Sequence, residues 1–443
     1  RGVLVDLELA RQAVKLNSIQ TAVAVEQAYM ITGLENPNSV TQLKQWLKEK
    51  GVEIESLSKK SVKSLADETD GDVSEMLKLR LLMAKTSVKK YEAVIRSVCS
   101  DNRVHGMMRF CGANRTGRWS GNILQPQNLP QNHLPDLTLA RDIVKDGDFE
   151  MLDMMFGNVP NVLSELIRTV LIPKPNHRFI VADFSAIEAR VLAWIAGEQW
   201  RIDTFKNGGD IYCASASKMF KVPVEKHGVN GELRQKGKIS ELACGYGGSV
   251  GALKNMGAVE MGVQENELQG LINDWRNANP HIVRFWYEVG NAAMKAIKEK
   301  TTVPLGKLVF AYERGILFIR LPSGRRLSYI KPRIGTNRFG GDSITYMGIN
   351  SAKKWDRLET FGGKLTENIV QGTARDLLAN ALINAANAGY DTVFHVHDEI
   401  ICEVPNGYGS VDELCKLMCI KPEWADGLPL NADGFECEYY KKE

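Results

Sequence analysis

The segment HVHDEIICEV, residues 395–404, is the strongest constraint on what this chain can fold into. Apolar residues lead into it at Val393 and Phe394 and continue through it to Val404, which is the pattern of a β-hairpin. Two histidines and an Asp-Glu pair interrupt that pattern. Because an unpaired buried charge is very costly, the acidic pair at the turn requires a compensating partner.

Length and composition set the broad class. The 443 residues exceed one compact core and predict two or three subdomains. A hydrophobic content of 44% and a charged content of 25% are typical of a globular protein, and no apolar run of about 18 residues predicts a membrane span. The net charge of +3 permits nucleic-acid binding without demanding it.

The eight cysteines are scattered without a CxxC pair, which argues against a zinc site or a disulfide framework and suits a reducing cytoplasm. No signal peptide is visible. The chain begins with Arg1 rather than Met, which is consistent with a fragment of a longer protein.

Helix and strand patterns alternate irregularly along the chain. The sequence predicts one helix from Ser39, as N-cap, to Gly51, and a second, continuous helix over 74–98. A hairpin is predicted at 321–330 with Gly324 in the turn, and a long helix over 366–389. Because strands and helices mix without βαβ alternation, the predicted class is α+β.

An Asp6-x-Glu8 pair at the start of the chain permits two interpretations. A D-x-E on a strand opens many proofreading exonuclease sites. The alternative, which we favour, is that Asp6 caps a helix starting at Leu7, since the stretch before the next helix is too short for an exonuclease fold.

Asp183 ends an apolar strand, RFIVADF, and a helix follows at once. A carboxylate there can bind a cation at the edge of a sheet. The competing interpretation is local, since Ser185-x-x-Glu188 has the spacing of a capping box. Asp398 at the hairpin tip could likewise be a turn aspartate. Together, the two carboxylates would suit a magnesium site, although their separation in sequence says nothing about proximity.

A third segment, LRQKGKISELACGYGG, places Arg234, Lys238, Leu242 and Tyr246 four residues apart, with Asn230 as a candidate N-cap. On a helix they would lie along one face and span about 18 Å. Two cations followed by an apolar and an aromatic side chain match a nucleoside triphosphate laid along the helix. An amphipathic helix with solvated cations is the alternative.

These segments resemble the motifs of the family A DNA polymerases, the DNA polymerase I group. DFSAIEAR resembles motif A, RQKGKISELACGYG motif B and VHDE motif C. RTGRWSGNILQPQNLP, GRRL and QGTARDLL resemble further motifs of the family, and all six occur in the family's order between residue 103 and about residue 404. The chain most resembles the polymerase portion, without an exonuclease, of compact bacteriophage and bacterial members.

The resemblance implies a right-hand polymerase fold with a helical thumb, an antiparallel-sheet palm and mostly helical fingers. The thumb would comprise 1–100, the palm 101–200 and 346–443, and the fingers 201–345.

The resemblance also implies a two-metal site. Asp183 and Asp398 would hold two Mg²⁺ ions with the backbone carbonyl of Phe184, and Mn²⁺ is expected to substitute. Glu399 would be a supporting carboxylate that also serves catalysis, and His397 would touch the primer terminus.

The nucleotide site follows from the same resemblance. Arg234 and Lys238 would grip the phosphates, with Lys238 a candidate proton donor to pyrophosphate. Glu188 would be a steric gate against the ribose 2′-hydroxyl, and Tyr246 would stack near the templating position. The residues expected along the minor groove of the primer-template duplex, where acceptors are sequence-tolerant, are Arg118, Gln127, Asn128 and Gln371. Arg325 and Arg326 are weaker candidates for phosphate contacts.

Several positions depart from the family pattern. Leu242 stands where Phe or Tyr is usual, which predicts poor use of dideoxynucleotides. Tyr212 takes the place of a phosphate-binding His and remains a hydrogen-bond donor. Further departures occur at Ala186, Ala243, Gly363 and Glu367.

The implied activity is DNA-templated extension of a primer 3′-hydroxyl with deoxynucleoside triphosphates and release of pyrophosphate. The implied partners are primer-template DNA and dNTPs, for a monomer in the cytoplasm of a bacterial or phage-infected cell, with any accessory replication factor unidentified. A single-subunit RNA polymerase is disfavoured by Glu188. A non-catalytic DNA-binding scaffold is disfavoured because Asp183, Asp398 and Lys238 are all present.

Overall fold

The computed structural model describes residues 1–84, 88–337 and 340–442. The first hundred residues are mainly helical. Their elements are β1 (Val3–Val5), α1 (Leu7–Thr32), α2 (Val40–Glu49), α3 (Lys59–Glu68), α4 (Gly71–Met83) and α5 (Lys89–Ser97). The side chain of Ser39 caps α2 as predicted, and the carboxylate of Asp6 caps α1 by accepting from the Leu9 amide at 3.0 Å.

The prediction of one continuous helix over 74–98 was wrong. Helix α4 ends at Met83 and α5 begins at Lys89, while residues 85–87 lie outside the described part of the chain. The two helices pack in different cores: α4 with α2 and α3, and α5 with the start of α1. Periodicity alone could not separate them, because both apolar stripes have helical spacing.

The next stretch contains short strands, four helices and the strand that carries Asp183. Its elements are β2 (Arg103–Val104), β3 (Met108–Arg109), β4 (Ser120–Gly121), α6 (Leu137–Asp146), α7 (Phe149–Phe156), α8 (Val159–Leu166), β5 (Leu171–Ile172), β6 (His177–Phe184) and α9 (Ile187–Ala196), with short 3-10 helices at Pro126–Asn128 and Ile167–Val170. Strand β1 pairs with β2 and β5, so the N-terminus joins this stretch.

Helices fill the chain as far as Glu299. They are α10 (Gln199–Lys206), α11 (Ile211–Phe220), α12 (Leu233–Cys244), α13 (Val250–Asn255), α14 (Leu268–Ala278) and α15 (Pro280–Glu299), with a 3-10 turn at Glu265–Glu267. None of the helices in the described ranges is long and apolar enough to cross a membrane.

Strands dominate the rest of the chain. The elements are β7 (Thr302–Leu305), β8 (Leu308–Glu313), β9 (Ile316–Arg320), β10 (Arg326–Thr336), β11 (Asp342–Ile349), β12 (Trp355–Thr360), α16 (Gly362–Asn387), β13 (Asp391–Val396), β14 (Glu399–Pro405), α17 (Val411–Met418) and β15 (Ala432–Cys437), with a 3-10 turn at Glu423–Ala425. Gly324, with φ of +86°, lies in the predicted β9–β10 turn, and Gly389 follows the long helix. The α+β prediction is confirmed.

Strands β7 to β12 form a six-stranded antiparallel meander that packs on α15 and α16. The expected domain boundary at 345 falls inside β11, so it would divide a strand. The assignment of ranges to thumb, palm and fingers otherwise stays a prediction.

The central sheet has the strand order β13-β14-β6-β15, with antiparallel neighbours. Alternate residues of β6 face opposite sides, as the pleat requires. Phe179 and Val181 pack with the helices α1 and α5 to α8, whereas Ile180 and Ala182 pack with α9, α12 and α16. Burial on both faces explains why β6 reads as a continuous apolar run that ends in Asp183.

Candidate active site

Three carboxylates lie side by side across the central sheet. Asp183 of β6 is directly opposite Glu399 of β14 on one side and Asp433 of β15 on the other. Asp398 immediately precedes Glu399, and its backbone carbonyl accepts a hydrogen bond from the Phe184 amide at 3.3 Å. The sheet therefore brings Asp183 and Asp398 together. Their separation in sequence could not predict this proximity.

The electrostatics of this cluster favour a bound cation. Burial, together with the charges of Asp398 and Glu399, raises the pKa of Asp183 to about 8. Burial raises the pKa of Asp398 to about 6. The Oδ1 atom of Asp183 is buried and has no hydrogen-bond partner among the described residues. A cation between these oxygens would relieve the repulsion and satisfy the orphaned atom.

The donor set fits magnesium. Within the described ranges, no group of three or more His, Cys, Asp or Glu side chains converges to hold a metal ion by itself. Magnesium sites commonly use one or two carboxylates and complete the shell with water and substrate phosphates. Two partly buried carboxylates, Asp183 and Asp398, at the end of a sheet are such a partial shell.

The predicted hairpin is present as β13 and β14, joined by a two-residue turn, His397-Asp398. His397 has φ of +53° and is exposed at the tip. His395 is instead buried, with its ring edge-to-face with Trp119 at 4.8 Å. Burial lowers the pKa of His395 to about 4, so this ring is neutral and packs in the core.

Glu399 is held by the C-terminal end of the chain. The Tyr440 hydroxyl donates to Glu399 Oε1 at 2.7 Å, and Lys442 Nζ lies 3.7 Å from Glu399 Oε2. Burial raises the pKa of Glu399, and these two contacts oppose the rise. Sequence reasoning missed Tyr440 and Lys442, since nothing in EYYKKE indicates contact with the hairpin.

Helix α12 is anchored by a buried ion pair and by a close approach to α11. Arg201 Nη1 donates to Glu241 Oε1 at 2.8 Å, and both side chains are almost fully buried. A Cβ at Gly237 would lie 2.3 Å from the Tyr212 carbonyl, so only glycine allows this approach of α12 to α11. The sequence signal for this contact was the glycine within RQKGKIS.

Two local predictions for this segment were wrong. Asn230 does not cap the helix, which begins at Leu233; its backbone is left-handed, and its side chain donates to the Pro223 carbonyl at 2.8 Å. The helix also ends at Cys244, so Tyr246 lies just beyond it rather than on its face.

The two candidate phosphate-binding cations of the helix, Arg234 and Lys238, differ in their surroundings. Arg234 donates to Asp210 Oδ2 from Nε at 2.9 Å and from Nη2 at 2.7 Å. Lys238 makes no ion pair with any residue in the described ranges. Leu242 is 50% exposed, so an apolar surface is available beyond the cations.

The capping-box interpretation of Ser185 and Glu188 was wrong. Helix α9 has Ala186 at its N-cap, with φ of +49°, and the Ser185 hydroxyl donates to Asp433. Glu188 instead accepts hydrogen bonds from Arg118 Nη2 at 2.8 Å and from the Tyr246 hydroxyl at 2.7 Å. These polar partners, distant in sequence, displaced the local bond that the spacing suggested.

A cleft of about 600 Å³ extends from Asp398 to several of the nucleotide-site candidates. Its lining includes Glu188, Tyr212, Leu242, Tyr246, Gln371 and Asp398. Arg234 and Lys238 lie on the same helix outside this lining, nearer its N-terminus. The cleft therefore runs from the hairpin tip to the exposed face of α12.

The residues expected along the minor groove lie in two places. Gln371 lines the cleft directly. Arg118 is connected to it through a hydrogen bond to Glu188, which also lines the cleft. Gln127 lies against Gly121, and Asn128 Nδ2 donates to Gln125 Oε1 at 2.8 Å, both in the 3-10 helix after β4.

The two arginines of GRRL have structural partners. Arg325 donates to Asp376 and to the Gly372 carbonyl, which ties the β9–β10 turn to α16. Arg326 pairs with Glu313 at the surface.

Comparison with known proteins agrees with this geometry. The family model for DNA polymerase family A matches residues 8–421. A DNA polymerase of Bacillus phage SP02 is 52% identical over 446 residues, covering 100% of this chain and 69% of the phage protein. The thermostable DNA polymerase I of Thermus aquaticus is 27% identical over 265 residues, covering 58% of this chain and 27% of that protein.

Among solved structures, the POL domain of Pol1 from M. smegmatis, in complex with a DNA primer-template and a dNTP, matches with a TM-score of 0.67 at 21% identity. The match covers 99% of this chain and 67% of that one. It shows that the fold is the right-hand polymerase fold. The family match also extends nearly to the N-terminus, where the sequence motifs were least specific.

Proposed function

Because this chain belongs to DNA polymerase family A, we propose that it extends a primer 3′-hydroxyl with deoxynucleoside triphosphates on a DNA template, releasing pyrophosphate. The observation that carries the proposal is the juxtaposition of Asp183 and Asp398 at the ends of neighbouring strands, where Asp183 has a buried oxygen without a hydrogen-bond partner among the described residues and Asp398 lines a cleft of about 600 Å³. The substrates are primer-template DNA and dNTPs, and the protein acts as a monomer in the cytoplasm of a bacterial or phage-infected cell.

Asp183 and Asp398 would hold the metal ions, with the Phe184 carbonyl as a further oxygen ligand. When bound, two Mg²⁺ ions, or Mn²⁺ in their place, would promote ionisation of the primer 3′-hydroxyl and neutralise charge on the triphosphate and departing pyrophosphate. Glu399 would be a supporting carboxylate beside the metal ligands, since it is buried and lies directly opposite Asp183. His397, exposed at the tip, would meet the primer terminus.

The cleft would receive the incoming nucleotide. Leu242 presents an apolar surface to sugar and base, and Tyr246 closes the far wall. Glu188, fixed by two hydrogen bonds, would fill the space that a ribose 2′-hydroxyl needs. A fixed carboxylate discriminates better than a mobile one, because it cannot move aside for the extra oxygen.

The N-terminal half of α12 would bind the phosphates. Lys238 has no competing ion pair among the described residues, so its ammonium is available to donate a proton to pyrophosphate. Arg234 uses Nε and Nη2 for Asp210, which leaves the N–H donors of Nη1 for a phosphate. Tyr212 lines the cleft beside them and offers a neutral hydroxyl.

Duplex DNA would lie along the segment that carries Arg118, Gln127 and Asn128, with Gln371 at the cleft. Neutral amides suit a groove that presents the same acceptors for most base pairs. Arg118 would reach the duplex only by sharing or releasing Glu188.

Primer extension on a primed single-stranded template with Mg²⁺ tests the proposal. The wild type and Asp398→Ala would be compared with dNTPs and with rNTPs. We expect extension with dNTPs only, abolished by the substitution while DNA binding persists. Equal extension with rNTPs would overturn the role of Glu188 and favour an RNA polymerase; no extension by wild type, with DNA still bound, would favour a non-catalytic scaffold.

A further inference from the structure

Residues Tyr440–Lys442, near the C-terminus, lie against the candidate metal site. The Tyr440 hydroxyl and the Lys442 ammonium engage the two different oxygens of Glu399, at 2.7 Å and 3.7 Å. Glu399 is only 2% exposed. The orientation of this carboxylate is therefore set from the C-terminal end of the chain.

The position of the tail is fixed by contacts that do not involve Glu399. The Tyr440 ring is fully buried and lies edge-to-face with Phe394 at 5.0 Å. The amide of Lys442 donates to Asn132 Oδ1 at 3.2 Å. Tyr440 and Lys442, the two residues that contact Glu399, are thus docked on separate parts of the fold.

The hydrogen-bond direction at Tyr440 follows from its neighbours. Arg168 Nη1 donates to the Tyr440 oxygen at 3.2 Å, and a guanidinium has no acceptor to offer in return. The single hydroxyl proton of Tyr440 is therefore left for Glu399. A carboxylate that accepts this hydrogen bond is held in one orientation beside Asp183.

The charge of Lys442 reaches beyond Glu399. Glu399, which Lys442 Nζ approaches to 3.7 Å, lies directly opposite Asp183 on the neighbouring strand and follows Asp398 in the chain, and the ammonium lowers the pKa of all three carboxyl groups against the burial that raises them. Lys442 thus faces the whole acidic cluster. It is 31% exposed at the side chain, so it can withdraw towards solvent when another cation arrives.

We propose that Tyr440 and Lys442 are positioning residues of the polymerase site. Tyr440 holds Glu399 in a single orientation, and Lys442 is an internal cation that balances Asp183 and Asp398 before divalent ions bind. This inference rests on the proposed function, because it assumes that the carboxylates bind metal. Two cations close to the same carboxylates repel each other, so Lys442 competes with the divalent ions that bind there later.

Competition between Lys442 and a metal ion has opposite effects on the stability of the metal-free protein and on the affinity for the ion. Removal of the Lys442 charge leaves the metal-free carboxylates without compensation and destabilises the metal-free protein. The same removal abolishes repulsion of the incoming ion and tightens metal binding. A residue that only maintained the fold would weaken both.

Two measurements on the full chain separate these effects. Free Mn²⁺ is followed by electron paramagnetic resonance during titration, and the thermal midpoint is measured in EDTA. The variants are Lys442→Met and Lys442→Arg, with Lys441→Met as the matched control, since the Lys441 ammonium lies 5.7 Å above the Phe435 ring. Asp183→Asn tests whether the Mn²⁺ that is bound during the titration occupies the proposed metal site.

We expect Lys442→Met to bind Mn²⁺ about threefold to tenfold more tightly than wild type and to melt at a lower temperature in EDTA. Lys442→Arg should keep both values near those of wild type, and Lys441→Met should leave Mn²⁺ binding unchanged. Tyr440→Phe, which keeps the ring and loses the hydroxyl, should weaken Mn²⁺ binding because Glu399 is no longer oriented.

Unchanged or weaker Mn²⁺ binding by Lys442→Met would overturn the inference. If Asp183→Asn still abolishes Mn²⁺ binding in that case, the proposed metal site stands and only the role of the tail is lost. If Asp183→Asn binds Mn²⁺ as wild type does, the metal site itself is refuted, and the inference with it.

Discussion

The Tyr246 hydroxyl donates a 2.7 Å hydrogen bond to Glu188 Oε2, joining the segment after α12 to the first turn of α9. Arg118 occupies the other oxygen of the same carboxylate at 2.8 Å. Burial and the Glu188 charge raise the pKa of Tyr246 well above its ordinary value, so its proton stays in place to donate. The carboxylate of Glu188, the candidate gate, is thereby held between the segment that follows α12 and the segment that carries Arg118.

Shortening Glu188 should relax discrimination against ribose. In Glu188→Ala the space beside the sugar opens, and we expect the preference for dNTPs over rNTPs to fall by about tenfold to a hundredfold. Steady-state incorporation of one dNTP and the matching rNTP gives the ratio. Glu188→Gln keeps the volume and serves as control; an unaltered ratio in Glu188→Ala would remove Glu188 from the gate.

Tyr246→Phe should lower the free energy of unfolding by about 1 to 3 kcal/mol, since a hydrogen bond to a charged acceptor is lost. Urea denaturation measures the change. A double-mutant cycle with Glu188→Ala isolates the pair, and we expect the two effects to be clearly non-additive. Full additivity would mean that the hydroxyl stabilises the fold through some other contact.

The buried Arg201–Glu241 pair should be the most sensitive anchor of α12. Arg201→Met leaves the Glu241 carboxylate buried without its cation, and should cost about 3 to 5 kcal/mol of unfolding free energy. The double variant Arg201→Met/Glu241→Leu removes both charges and should recover much of that loss in the same denaturant measurement. A double variant as unstable as Arg201→Met would show that the uncompensated charge is not the cause.

In EDTA the protein should become less stable as the pH rises from mildly acidic to mildly basic. The pKa of Asp183 is raised to about 8 and that of Asp398 to about 6, from an ordinary 3.8. An acid with a raised folded-state pKa contributes stability below its ordinary pKa and loses it as the pH climbs through the folded value. Urea midpoints across this range should fall in wild type, and Asp183→Asn should flatten the fall. An equally steep fall in Asp183→Asn would contradict the assignment.

The sequence predicted those features that depend on local chemistry. The β13–β14 hairpin, the β9–β10 turn at Gly324 and the Ser39 cap all follow from residue preferences within a few positions. Leu242 and Tyr246 were predicted from their spacing along a helix, and Glu188 and Tyr212 from the resemblance to the family; all four line the cleft.

The errors share a physical cause. Ser185 bonds to Asp433, which is 248 residues away, rather than to its own helix. The Tyr440 contact with Glu399 likewise joins distant parts of the chain across the sheet. Such partners are chosen by tertiary packing, so neither periodicity nor capping preference could anticipate them.

The most direct test of the metal site is the single-turnover rate of incorporation of one deoxynucleotide, with the enzyme in excess over primer-template DNA and with saturating Mg²⁺ and dNTP. Asp183→Asn and Asp398→Asn would be compared with Asp433→Asn, which removes the exposed carboxylate directly opposite Asp183 on β15. The account predicts a loss of at least about a thousandfold for the first two and less than about tenfold for the third. Near wild-type incorporation by Asp183→Asn or Asp398→Asn would contradict it.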